Sequence, residues 1–128
     1  MKKSDLFVES CPFCADTLRL IQYDYCYSKK DSYAVSKGHT LVIPYRHFSD
    51  YFDCTKEEKK DIWNLVEQVK TELDQQFNPD GYNIGINCGA AAGQTISHLH
   101  IHIIPRYNGD VADPSGGVRG VIPKKQKY

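Results

Sequence analysis

Between Ser97 and Arg106 the chain reads Ser-His-Leu-His-Ile-His-Ile-Ile-Pro-Arg, three histidines alternating with aliphatic residues. A repeat of two is the period of a β-strand, whose successive side chains point to opposite faces. His98, His100 and His102 are therefore predicted on one face, and Leu99, Ile101 and Ile103 on the other. A strand that places three imidazoles together gives up apolar burial on that face. Imidazole is the side chain best suited to act as ligand, base or nucleophile near neutral pH, so the stretch is read as an active site.

A chain of 128 residues fits one domain, 1–128, with a core that needs no disulfides. Basic and acidic residues balance at 16 each, which speaks against long nucleic acid or an anionic membrane as partner and leaves room for a small anionic ligand. Met1-Lys2-Lys3-Ser4-Asp5 leads into no long apolar run and no segment approaches the length of a membrane span, so a soluble, cytoplasmic protein is expected. Five cysteines, an odd number, argue against a disulfide framework. Cys26, Cys54 and Cys88 are isolated and expected as small, partly buried thiols. Cys11 and Cys14 differ, because Cys-Pro-Phe-Cys has a spacing that suits metal ligation or redox chemistry.

Residues 1–20 are predicted to form an N-terminal arm carrying Cys11 and Cys14. Alternation predicts a first strand over Ile21–Tyr27, a turn at Ser28–Asp31, a second strand at Tyr33–Val35 and a third at His39–Ile43, stopped by Pro44. Thr55 and Glu58 match a capping box, and Ile62, Leu65, Val66, Val69 and Leu73 form the apolar stripe of a helix from about Thr55 to Phe77. Trp63 and Phe77 are taken as packing residues. Asn78-Pro79-Asp80-Gly81 ends the helix, Tyr82–Asn87 is the fourth strand, and the histidine stretch is the fifth. Between them, Gly89–Thr95 is a loop of small residues whose amides could meet phosphate oxygens. The fold class expected is α+β, a five-stranded antiparallel meander with one main helix. Residues 108–128 are expected to be an irregular tail across the active site or a neighbouring subunit.

All five histidines fall in three short places: His39, His47 and the triple. Two arrangements compete. In one, His98, His100 and His102 hold a catalytic metal with a bound water as attacking group. In the other, one of the three joins Cys11, Cys14 and His47 in a closed Cys2His2 site, and the other two do chemistry directly. Spacing alone does not choose between them.

The stretch from Asn87 to Arg106 resembles the signature of the histidine triad (HIT) superfamily, and Gly38-His39-Thr40-Leu41-Val42-Ile43-Pro44-Tyr45-Arg46-His47 is similar to that family's other motif. This resemblance implies a HIT-like fold, a homodimer whose sheets join, and nucleotidyl transfer through a covalent nucleotidyl-histidine. It implies His100 as nucleophile, His102 as the group that holds phosphate oxygens or passes a proton, and His39 as the residue orienting the nucleophilic ring. Asn87, Gln94 and Thr95 match positions that contact the phosphate, beside Gly93 of the small-residue loop, and Asp31 matches the acceptor for ribose hydroxyls. Zinc-bearing members of the superfamily imply a structural zinc on Cys11, Cys14, His47 and His98. The implied substrates are dinucleoside polyphosphates or other adenylate derivatives, hydrolysed as by diadenosine polyphosphate hydrolases. The alternatives are a phosphorylase, with phosphate as acceptor, and a nucleotide-binding regulator with negligible turnover. Ala34 departs from the commoner proline, and Arg119 in the tail is a candidate for a distal phosphate.

Overall fold

The computed structural model describes residues 7–15 and 18–128, so residues 1–6 and 16–17 of the expected arm lie outside the described residues. A short helix α1 (Pro12–Ala15) is followed by strands β1 (Cys26–Lys30) and β2 (Thr40–Pro44), helix α2 (Lys56–Phe77), and strands β3 (Gly81–Gly85) and β4 (Ile101–Arg106). The strands form one antiparallel sheet in the order β1-β2-β4-β3.

Helix α2 begins as its local chemistry dictates. Thr55 Oγ1 accepts from the Glu58 amide at 3.1 Å while Glu58 Oε1 accepts from the Thr55 amide at 2.9 Å, satisfying two donors that the first turn leaves unpaired. The helix ends at Asn78, whose left-handed conformation (φ 46°) places its amide on Asp74 O. Ile62, Leu65, Val66, Val69 and Leu73 are buried against Cys26, Val42, Leu99, Ile101 and Ile103, so one sheet face packs on the helix. The other face carries a second cluster of Cys11, Phe13, Cys14, Tyr27, Leu41, Ile43 and Tyr45. Glu58 does double duty: its carboxylate also takes two hydrogen bonds from the buried Arg46 guanidinium, at 2.8 and 3.0 Å. That pair ties the helix start to the chain leaving β2.

The sheet has four strands, not five, and is not a meander. β2 pairs with β4 rather than with its successor, because the chain crosses through α2 before β3 adds to the far side of β4. The predicted first strand is displaced. Ile21–Tyr27 reverses on itself, Tyr23 N bonding Cys26 O and Ser28 N bonding Ile21 O, with one isolated bridge between Gln22 and Tyr27. The polar run Ser28-Lys29-Lys30, expected as a turn, lies instead in β1, with Ser28 and Lys29 buried. Tyr33-Ala34-Val35 is an exposed loop, not a strand. The reason is visible in its amides: Tyr33 N donates to Asp31 Oδ1 at 2.8 Å and Val35 N to His39 Nδ1 at 3.1 Å, so side chains take the bonds a ladder would need.

Phe77 packs on the core as expected, whereas Trp63 is partly exposed and donates from its indole to the Tyr51 hydroxyl. Cys26 is fully buried, and Cys54 and Cys88 are half-buried. The tail folds into two short 3-10 turns, Gly117–Val121 and Pro123–Lys125. Arg119 donates to the carbonyls of Lys125 and Gln126 and stacks over Tyr128, so it is used inside the tail. Among the described residues, no helix is long and apolar enough to cross a membrane.

Candidate active site and metal centre

The alternation predicted for residues 98–103 is kept. Leu99, Ile101 and Ile103 are fully buried on the α2 side, and the three histidines face the opposite cluster. Regular β4 begins only at Ile101, so His98 and His100 lie on the approach to it, where Leu99 N bonds Phe48 O at 2.7 Å. The histidines then part company.

His98 joins Cys11, Cys14 and His47, whose ligand atoms lie within 4.8 Å of one another. Cys11 Sγ is 3.3 Å and Cys14 Sγ 3.6 Å from His98 Nδ1, Cys14 Sγ is 3.4 Å from His47 Nδ1, and the two Nδ1 atoms are 3.2 Å apart. A tetrahedral ion bonded to nitrogen at about 2.0 Å and sulfur at about 2.3 Å requires edges of about 3.3 Å between the nitrogens and about 3.5 Å between nitrogen and sulfur. The spacings fit. His98 also donates from Nε2 to Pro44 O at 2.7 Å, which leaves its Nδ1 lone pair facing the sulfurs. The four residues could hold a metal, and the two-thiolate, two-imidazole set suits a borderline-soft ion. Among the described residues, His98, His100 and His102 do not converge as a ligand set, which sets aside the three-histidine catalytic metal.

His100 and His102 line a cleft of about 530 Å³ with Asp31, Asn87, Gly93 and Thr95. Their tautomers follow from their partners. His100 Nδ1 is 2.8 Å from the His98 carbonyl, which can only accept, so Nδ1 carries the proton and Nε2 keeps a lone pair. His39 Nδ1 accepts from Val35 N, so its Nε2 carries the proton, 2.9 Å from His102 Nδ1 and 3.2 Å from Asp31 Oδ2. His102 Nδ1 thus accepts, and its Nε2 bears hydrogen. One imidazole offers a nucleophilic lone pair and its neighbour, 5.1 Å away between ring centroids, offers a donor.

Gln94 is placed otherwise than expected. Its Oε1 accepts from Gly89 N and its Nε2 donates to Ser49 O and Ile96 O, so the side chain braces the Gly89–Thr95 loop and does not line the cleft. The cleft wall includes groups the sequence did not single out, Phe13, Lys29, Ser32, Tyr33, Leu41 and Ile96. Phe13 had been only the spacer of Cys-x-x-Cys, yet its ring meets the edges of both His98 (5.8 Å) and His100 (5.1 Å). Its place between two ligands of a clasp that reaches His98 was the signal for this contact.

The sequence profile of the HIT domain matches residues 14–109. The chain belongs to the HIT domain family. It is 34% identical over 105 residues to Protein hit of Bacillus subtilis, covering 77% of this chain and 72% of that one. It is 43% identical over 76 residues to the bis(5'-adenosyl)-triphosphatase of Dictyostelium discoideum, covering 59% and 51%, and 33% identical over 85 residues to the AP-4-A phosphorylase of Mycobacterium tuberculosis, covering 66% and 44%. Among solved structures, a HIT family protein from Bacillus anthracis superposes with a TM-score of 0.74 at 35% identity, over 80% of this chain and 77% of the other. A Zn-bound histidine triad protein from Mycobacterium smegmatis superposes with a TM-score of 0.73 at 33% identity, over 81% and 80%.

Burial holds the His102 imidazole of this HIT domain well below its ordinary range, at about 4, with His100 and His39 adding to the depression and Asp31 opposing it. His39 is lowered as well, by burial, against the pull of Asp31. Both rings are neutral at pH 7. Because the unfolded chain takes up the His102 proton first, near pH 6.5, its share of stability is intact above that pH, erodes below it and is fully lost by about 4. Urea titrations at pH 7 and pH 5 are therefore expected to differ by roughly 2 kcal/mol more in the wild type than in His102→Gln. Equal pH dependence in the two proteins would contradict a neutral, buried His102.

Proposed function

We propose that this HIT domain is a nucleotidyl hydrolase acting at the α-phosphorus of dinucleoside polyphosphates or other adenylate derivatives. The observation that carries the proposal is the paired tautomer: His100 with its Nε2 lone pair free toward the cleft, beside His102 with Nε2–H. Similarity to a bis(5'-adenosyl)-triphosphatase supports the substrate class. Asp31 accepts from the ribose hydroxyls, Asn87, Gly93 and Thr95 meet the phosphates, and Gln94 holds the loop that presents them.

In the first step Nε2 of His100 bonds to phosphorus as the bond to the bridging oxygen breaks, and the nucleoside polyphosphate, or the corresponding group of another adenylate derivative, leaves with that electron pair. The nucleotidylated ring becomes cationic, and the His98 carbonyl, accepting from Nδ1–H, stabilises the charge. His102 donates from Nε2 to a phosphoryl oxygen. Water then attacks phosphorus, the N–P bond returns its pair to Nε2, and the water proton passes to solvent. Two displacements replace one harder one.

The reading is tested by mixing the protein with radiolabelled diadenosine tetraphosphate, quenching in alkali and mapping the label. Adenylate on the peptide containing His100 is expected; labelling elsewhere, or turnover without any trapped adenylate, would refute the mechanism. A phosphorylase is the second reading, favoured by similarity to an AP-4-A phosphorylase. Phosphate in the assay would then yield ADP in place of AMP.

The metal proposed for Cys11, Cys14, His47 and His98 is zinc, a reading supported by the zinc-bound relative and the donor set. With all four positions taken by protein, its role is structural, and it would anchor α1 to the approach to β4. We also propose a homodimer joined through sheet edges, for which β3 offers an outer edge with Ile84 exposed. Sedimentation equilibrium at the mass of one chain would contradict it.

A further inference from the structure

Asp31 was expected at the ribose alone, but its carboxylate does something else in the cleft. Oδ1 is held by the Tyr33 amide at 2.8 Å, and Oδ2 is 3.2 Å from the protonated Nε2 of His39. That same proton faces His102 Nδ1 at 2.9 Å, while Oδ2 itself is 3.9 Å from His102 Nδ1. One proton therefore has two acceptors. His39 cannot turn its other nitrogen to relieve the competition, because Nδ1 is occupied by the Val35 amide. Asp31 keeps only 15% of its side-chain surface exposed, and what is exposed opens on the cleft.

We infer that Asp31 is a positioning residue that couples ribose recognition to the state of His102. Without ligand, Oδ2 competes with His102 Nδ1 for the His39 proton and so weakens the hydrogen bond that keeps the His102 hydrogen on Nε2. When two ribose hydroxyls donate to Oδ2, the acceptor capacity of that oxygen is taken up. The His39 proton then goes wholly to His102 Nδ1, which fixes the hydrogen of His102 on Nε2, aimed at the phosphoryl group. The ribose thereby acts on the chemical step and not on binding alone. This inference rests on the nucleotidyl-transfer reading above and goes beyond it by making a 2',3'-diol a condition for full turnover.

The test compares diadenosine tetraphosphate with its 2',3'-dideoxy counterpart in the wild type and in Asp31→Asn. In the wild type, loss of the hydroxyls is expected to lower kcat about tenfold as well as raise KM, the size of one charge-assisted hydrogen bond. In Asp31→Asn the amide keeps its oxygen on Tyr33 N and turns Nδ2 toward His39, where it cannot accept. The His39 proton then has only His102 to go to, so kcat for the dideoxy substrate is expected to rise about tenfold above the wild-type value for that substrate. A purely structural role for Asp31 would not produce that rescue. If dideoxy substitution changes KM alone, or if the variant loses kcat equally on both substrates, the inference is overturned. A readout without turnover separates it from the hydrolase reading: imidazole 15N spectra of the wild type with AMP and with 2',3'-dideoxy-AMP. A sharper Nε2–H signature for His102 with AMP supports the coupling even in a protein that hydrolyses nothing, and identical spectra overturn it.

Discussion

Replacing His100 by Ala is expected to lower kcat for diadenosine tetraphosphate by at least about 10⁴-fold while leaving nucleotide affinity within about threefold. The ring is half-buried, lines the cleft and lies outside both apolar clusters, so its loss removes the proposed attacking atom without disturbing the core. Asp31, Asn87, Gly93 and Thr95 remain where they are. His102→Ala is expected to cost less, about 10²-fold, because a donor to a phosphoryl oxygen lowers a barrier that nucleophile loss replaces with another route altogether. Kinetics on the two variants beside the wild type, with thermal melts to confirm folding, check the order. A His100→Ala protein within tenfold of wild type would end the covalent mechanism.

The second large effect is expected at the proposed metal centre. Stripping the ion with a strong chelator, or replacing Cys11 or Cys14 by Ser, should cost more than about 5 kcal/mol and lower the melting midpoint by about 20 °C. Four ligand atoms converge within 3.2–3.6 Å contacts from α1 and its flank, the segment after β2 and the approach to β4, in a place where three of the four residues are buried. Without an ion these groups lose solvent and gain little in return. Activity should decay with the loss of tertiary structure and return with added zinc, since Phe13 passes from the clasp to the His100 ring. Immediate loss of activity in a fully folded protein would instead mark the ion as part of the chemistry. Elemental analysis finding no zinc in fresh protein would contradict the assignment.

What could be read in the chain was local. The capping box of Thr55 and Glu58 and the stripe from Ile62 to Leu73 announce α2 to within a residue, because both depend on neighbours one to four positions apart. The alternation from His98 to Ile103 gave the two faces for the same reason. What was missed depended on distant partners. Ser28, Lys29 and Lys30 look like a turn by composition and become strand, the first two buried, only because Val42, Leu41 and Thr40 lie opposite them. Tyr33-Ala34-Val35 looks like a strand and is a loop, since the His39 side chain takes the Val35 amide. Cys11 and His98 stand 87 positions apart, and no spacing rule could have paired them; resemblance to a family did. Gln94 has the expected position in sequence, but its donors and acceptor are occupied by Gly89, Ser49 and Ile96.

Carrying the proposed nucleophile and the proposed metal ligand on alternate residues of one segment also restricts how this chain can change length. A single inserted or deleted residue between His98 and Ile103 would exchange the faces downstream of it, carrying imidazoles into the apolar layer under α2 and aliphatic residues into the cleft. Only changes by pairs preserve the facing, and a pair inserted between His98 and His100 would part those two rings. Drift in length among relatives of this chain should therefore accumulate in the tail, and be absent between His98 and Ile103.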